Sequence, residues 1–91
     1  MSKERMEFML LGRNIGTYTG WDEGDAFSIQ IYDFQPNEGV PLPEAATITF
    51  YLESGLAITY FENADGTHTE NSFDFLPRIA HLPFELVKGE N

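Results

Sequence analysis

Cysteine is absent from this chain of 91 residues, and no lysine or arginine lies between Arg13 and Arg78. The first absence removes disulfides and thiolate metal sites and fits a reducing compartment. The second says more. Ordinary composition places about eight basic residues in a stretch of that length. Here the interval carries Asp22, Glu23, Asp25, Asp33, Glu38, Glu44, Glu53, Glu62, Asp65, Glu70 and Asp74, with no counter-charge among them. Unpaired like charges work against compaction, so a folded chain that keeps them gives up some stability.

Long apolar runs are missing too. None approaches the roughly 20 residues of a membrane-spanning helix. The start, Met1-Ser2-Lys3-Glu4-Arg5, is followed by a segment that Glu7, Gly12 and Arg13 interrupt. It does not read as a signal peptide, and the expected location is cytoplasmic. Fifteen acidic residues stand against five basic ones, for a net charge of −10. That balance argues against direct nucleic-acid binding, because phosphate contacts need Lys and Arg. It argues equally against an anionic membrane surface and in favour of a basic partner.

What is present is core material. Hydrophobic residues make up 42% of the chain, eight of them Phe, which excludes global disorder despite the charge. The length fits a single β domain spanning residues 1–91. A chain this small buries a modest share of its surface, so a homodimer or a bound partner is a fair expectation.

The dominant hydrophobic period is two. Residues 46–52 place Ile48, Phe50 and Leu52 on one face and Thr47, Thr49 and Tyr51 on the other. Residues 56–62 follow, with Leu56, Ile58 and Tyr60 sharing a face. The link Glu53-Ser54-Gly55 suits a three-residue hairpin that sets Leu52 opposite Leu56, Phe50 opposite Ile58 and Ile48 opposite Tyr60. Residues 26–34 alternate in the same way, with Phe27, Ile29 and Ile31 against Ser28, Gln30 and Tyr32. Residues 16–21 read as their hairpin partner across Asp22-Glu23-Gly24-Asp25. Residues 6–11, apolar on both sides, read as a more buried strand. Asn63-Ala64-Asp65-Gly66 is a turn, leading into residues 67–73, a polar edge strand.

Two segments break the period. Residues 35–43 hold three prolines and read as a stiff connection. Residues 74–83 suit one short helix, with Asp74 as N-cap, Pro77 in the first turn and Pro83 at its end. Residues 84–87 read as a last extended segment. The expected fold is mainly β: a small antiparallel meander curled into a barrel or sandwich, with one short helix near the C-terminus. In a simple meander the tips at 22–25 and 53–55 fall at one end, and the 35–43 loop and 63–66 turn at the other.

Chemical motifs are sparse. Asn63, Asp65 and Gly66 would stand at positions three, five and six of a calcium loop. Phe61 and Ser72 would then occupy its first and last positions, where carboxylates are required, so the match fails. His68 and His81 are the only histidines, lie in different segments and have no Cys to complete a zinc site. No Ser, Thr or Lys nucleophile has an activating context. No catalytic residue, metal or cofactor is implied, and the chain does not read as an enzyme.

The candidate partner-binding residues are Trp21, Asp22, Glu23, Asp25, Glu38, Glu44, Glu53, Asp65 and Glu70. Tyr18, Trp21, Tyr32, Tyr51 and Phe61 are expected opposite the main apolar stripe or at a hairpin end. Aromatics there serve either as a second packed layer or as interface anchors within a carboxylate rim. The expected function is a small acidic binding or inhibitor protein of nucleic-acid-mimic type, whose carboxylates stand in for phosphates on a basic protein such as a nuclease. By analogy of size and charge, phage-encoded anti-defence proteins (anti-CRISPR or anti-restriction) and immunity proteins against nuclease toxins share this physics. The alternative is a structural or assembly β subunit that homo-oligomerises through edge strands and aromatics. A third reading, acidity as adaptation to high salt, predicts folding only in molar salt.

Overall fold

A computed structural model describes residues 4–25 and 27–82, with the side chains of 23–25 left aside. Seven antiparallel strands make one sheet: β1 (Met6–Leu10), β2 (Arg13–Tyr18), β3 (Gly20–Asp25), β4 (Ser28–Pro36), β5 (Ala45–Tyr51), β6 (Leu56–Glu62) and β7 (His68–Asp74). A one-turn helix, α1 (Leu76–Ile79), follows. The strand order is β1-β2-β4-β5-β6-β7, with β3 also on β4. No helix among the described residues is long and apolar enough to cross a membrane. The segment expected at 84–87 and the helix end expected at Pro83 lie outside the described residues.

The sheet curls around phenylalanines. β1 and β5 stand three steps apart in the sheet order, about 14 Å if the sheet were flat. Yet the Phe8 and Phe50 ring centroids are 5.5 Å apart. Phe34 meets both rings edge-on at 6.2 Å, and Phe75 meets Phe50 at 5.1 Å. Ile15, Ile31, Ile48 and Ile79 complete the interior. The curl stops short of a barrel, because the strand path begins at β1 and ends at β7 without joining them.

Close approach of β2 to β4 depends on Gly16. A Cβ there would stand 2.3 Å from the Gln35 carbonyl oxygen and 2.8 Å from the Phe34 ring. β2 and β3 continue one line along β4, with Gly16 opposite Pro36 and Gly20 opposite Tyr32. The line breaks opposite Asp33, whose φ is 55°. Thr19 Oγ1 donates to Asp33 Oδ2 there at 2.7 Å, and the kink lets Ile31 and Phe34 both enter the core.

Several local expectations are corrected. Residues 22–25 are not a hairpin tip but the second half of β3, paired with residues 28–30 of β4 through an irregularity between Glu23 and Asp25. Pairing satisfies backbone groups that an open loop would leave to water. Residues 6–11 are not buried on both sides: Phe8 and Leu10 are buried, while Met6, Met9 and Leu11 are exposed. β1 lies at the sheet margin and turns into β2 through Leu11 and Gly12, whose φ values are 54° and 80°. Positive φ at both positions marks a type I′ turn.

The β5–β6 hairpin is one residue out of the expected register. Tyr51 faces Leu56, Phe50 faces Ala57 and Thr49 faces Ile58. The loop is Leu52-Glu53-Ser54-Gly55, closed by Gly55 N–H on the Tyr51 carbonyl at 2.8 Å. Gly55, at φ 77°, takes the left-handed position. A one-residue slip exchanges faces. Ala57 and Thr59 are therefore buried, and Leu56, Ile58 and Tyr60 are only half-buried. The reason is volume: Phe75 already packs on Phe50, so β6 contributes small side chains inward.

The 37–44 connection is more than a surface spacer, since Val40 and Leu42 are buried, each worth about 1.5–3 kcal/mol. In α1, Pro77 sits in the first turn as expected, but the N-cap is Phe75, without a side-chain cap bond. Asp74 instead ends β7, paired with Leu56.

Candidate partner-binding surface

The register separates two faces on strands β3 to β7. Pairs directly opposite share a face, so Trp21, Ile31 and Ile48 stand in one row on the inner side. The next row, Asp22, Gln30, Thr49, Ile58 and Ser72, lies on the outer side. So does the row Tyr32, Thr47, Tyr60 and Glu70. The pleat therefore divides Trp21 from Asp22, so these two side chains do not share one patch. Trp21 is 48% exposed in a cleft with Glu7, Phe8, Met9, Tyr18 and Ile29.

Two of the five aromatics expected on the outer face are there, Tyr32 and Tyr51. Trp21 and Phe61 belong to the inner side at its margins, Phe61 beside Glu44 and Ala46. Tyr18 packs edge-on against Phe8 at 5.7 Å and joins the core. Tyr60 and Ile58, assigned inward by the expected hairpin register, lie on the outer face instead. The alternation of Thr47, Thr49 and Tyr51 against Ile48 and Phe50 marked the β5 part of that face, and the one-residue slip hid the β6 part.

The outer face is a shallow trough lined by Gln30, Thr47, Thr49, Tyr51, Ile58, Tyr60 and Glu70. Asp22 stands at one side and accepts from the Tyr32 hydroxyl at 2.7 Å, while Gln30 Nε2 donates to the same hydroxyl oxygen at 3.1 Å. The bond to Asp22, then slight desolvation and the carboxylate's charge, push the Tyr32 phenol above its usual value. On the other side His68 stacks on Tyr60 at 5.0 Å and 24°.

The remaining predicted carboxylates lie elsewhere. Glu53 is exposed in the β5–β6 loop, beside Phe27, Tyr51 and Ser54. Glu38 and Glu44 are exposed on the 37–44 connection. Asp65 sits in the 63–66 turn, where Thr67 donates its hydroxyl at 2.6 Å and its N–H at 3.0 Å. Those two bonds hold the Asp65 carboxyl below its usual value. Glu23 and Asp25 are placed by backbone pairing, and their side chains fall outside the description. Among the described residues no three His, Asp or Glu side chains converge as a metal site would require.

Three arginines bind the chain's own backbone. Arg5 donates to Thr17 Oγ1 at 2.9 Å, to the Thr17 carbonyl at 3.2 Å and to the Asp33 carbonyl. Arg13 donates to the carbonyls of Leu82 at 2.9 Å, Leu11 at 3.0 Å and Ala80 at 3.1 Å, tying the end of α1 to β2. Arg78 lies 4.3 Å from the Phe73 ring centroid and donates to the Pro41 carbonyl at 3.3 Å. In these contacts the guanidiniums clamp backbone. Asp22, Asp33 and Asp65 in turn accept from the neutral hydroxyls of Tyr32, Thr19 and Thr67, which orient a carboxylate without cancelling its charge. The chain matches no family model, no curated protein and no solved structure.

Proposed function

We propose that this protein is a small acidic binding protein that occupies a basic, nucleic-acid-binding surface of another protein, with its carboxylates in the place of phosphates. The observation that carries the reading is a division of labour: Arg5 and Arg78 hold backbone carbonyls, while Asp22, Asp33 and Asp65 are aimed by neutral hydroxyls. Charges fixed in direction before binding lose little freedom on docking. They also steer a cationic partner from a distance.

The outer face of β3–β7 suits the contact best. Tyr32, Tyr51 and Tyr60 offer rigid amphipathic anchors, which favour arginine through cation–π contact. Asp22 and Glu70 flank them as a rim, and Thr47, Thr49 and Gln30 supply neutral hydrogen bonding between. The class of protein with this physics is the nucleic-acid mimic, which includes anti-restriction, anti-CRISPR and immunity proteins. A pull-down from lysate of the cell that makes the protein, at low and at high salt, tests the reading. A basic nucleic-acid-binding protein retained at low salt and released at high salt supports it. Retention of only neutral or acidic proteins, or retention indifferent to salt, contradicts it.

A further inference from the structure

An open sheet edge among the described strands gives the molecule a second surface. β7 pairs with β6 in one unbroken register, from Leu56 opposite Asp74 to Glu62 opposite His68. Its sequence, His-Thr-Glu-Asn-Ser-Phe-Asp, has no lysine, no proline and no bulge, and only the charges of Glu70 and Asp74 guard the edge. Among the described strands nothing pairs with its other side. Six of its seven residues are exposed, and Phe73 is half-buried. Such an edge presents a row of backbone donors and acceptors to another strand.

We infer that β7 pairs antiparallel with β7 of a second copy of this chain, about a two-fold axis at Asn71, so that His68 of each copy faces Asp74 of the other. Charge selects this register. A two-fold perpendicular to the sheet keeps inner and outer faces in line, so each residue meets one of the same parity. Centring on Asn71 pairs the whole strand: His68 with Asp74, Thr69 with Phe73, Glu70 with Ser72 and Asn71 with itself. No carboxylate meets a carboxylate. Centring on Glu70 sets that residue against its own copy, and centring on Ser72 sets Glu70 against Asp74. Centres at Thr69 or Phe73 leave only three strand residues paired. The sheet then runs through both copies and places their outer faces side by side.

The pairing does not rest on the proposed binding of a basic protein, although Glu70 belongs to both surfaces, and it has the opposite salt response. Two copies of an anion repel, so added salt strengthens their association, whereas it weakens binding to a cation. Sedimentation equilibrium of the full chain over a concentration series, at low and high salt, provides the test. A reversible dimer that tightens with salt is expected. Ser72→Lys places a cation opposite Glu70 twice in the interface and tightens the dimer about fivefold, and Ser72→Glu weakens it by about the same factor. Ala80→Lys adds the same charge beside Arg13, away from β7, and leaves the dimer near the wild-type value. Three results overturn the inference: a monomer at every concentration and salt, a dimer indifferent to Ser72, or equal effects of Ser72→Lys and Ala80→Lys. A monomer in which the β7 amides that point away from β6 are nonetheless protected from hydrogen exchange assigns the edge to another segment of the same chain, and also rejects the second copy.

Discussion

The Tyr32 hydroxyl reaches diagonally from β4 to β3 and donates to Asp22 Oδ2 at 2.7 Å. Opposite Tyr32 in the register is Gly20, and opposite Asp22 is Gln30, so the bond links two successive cross-strand rows of the outer face. It holds one carboxylate against one aromatic ring of the proposed contact face.

The bond governs the titration of Tyr32. Tyr32 titrates above its usual 10.0, and Asp22→Asn, which removes the charge, moves it back toward that value. NMR of the tyrosine ring carbons reads the shift. The sign for stability follows: a phenol whose folded pKa is raised contributes stability that is complete below the unfolded value and lost as pH rises through the folded one. Asp22→Asn brings the folded value toward the unfolded one, so the alkaline loss of stability linked to Tyr32 is smaller in the variant than in the wild type.

Asp65 behaves in the opposite sense. Its carboxyl is held below the usual 3.8 by Thr67, so its contribution is present above the unfolded value and is lost as pH falls through the folded one. Thr67→Val removes the hydroxyl donor and keeps the N–H, and it raises the Asp65 pKa part of the way back. A pH series of carboxyl-carbon NMR shifts measures this.

The β1–β2 turn asks Leu11 to adopt φ 54°, a conformation that costs a β-carbon residue about 1–2 kcal/mol. Leu11 is exposed and repays little of this by packing. Leu11→Asn, suited to the first position of a type I′ turn, stabilises the protein by about 1 kcal/mol. The urea midpoint rises with the slope unchanged.

The β5–β6 register makes a paired prediction. Ala57 is buried opposite Phe50, and Ile58 faces out opposite Thr49. Ala57→Leu overpacks the core and costs about 1–3 kcal/mol, while Ile58→Thr stays within about 1 kcal/mol of wild type. The three-residue loop suggested by Glu53-Ser54-Gly55 gives the reverse order. Urea unfolding of the two variants decides between them.

Much of the fold was legible in period-two alternation. The inward faces of β4 and β5 followed from Ile29, Ile31, Ile48 and Phe50, and the polar edge from residues 67–73. What escaped was set by tertiary volume. Phe75, distant in sequence, fills the space that Leu56 and Ile58 would have taken and leaves β6 to bury Ala57 and Thr59. The acidic run at 22–25 looked like turn chemistry, yet β4 pairs with Asp22, Glu23 and Asp25. The carboxylates of the candidate surface were visible as charge, but the division of Trp21 from Asp22 depended on the pleat. Trp21 and Asp22, adjacent in sequence, therefore point to opposite sides.

The central claim is that the outer face of β3–β7 engages a cationic surface. Its most direct test is the affinity of the wild-type chain and of an Asp22→Asn, Glu70→Gln double variant for the captured basic protein, each measured at low and high salt. Affinity that falls with salt for the wild type, together with about a tenfold loss and a shallower salt slope in the double variant, is the predicted result. Equal affinity of the two proteins with parallel salt slopes would contradict the claim.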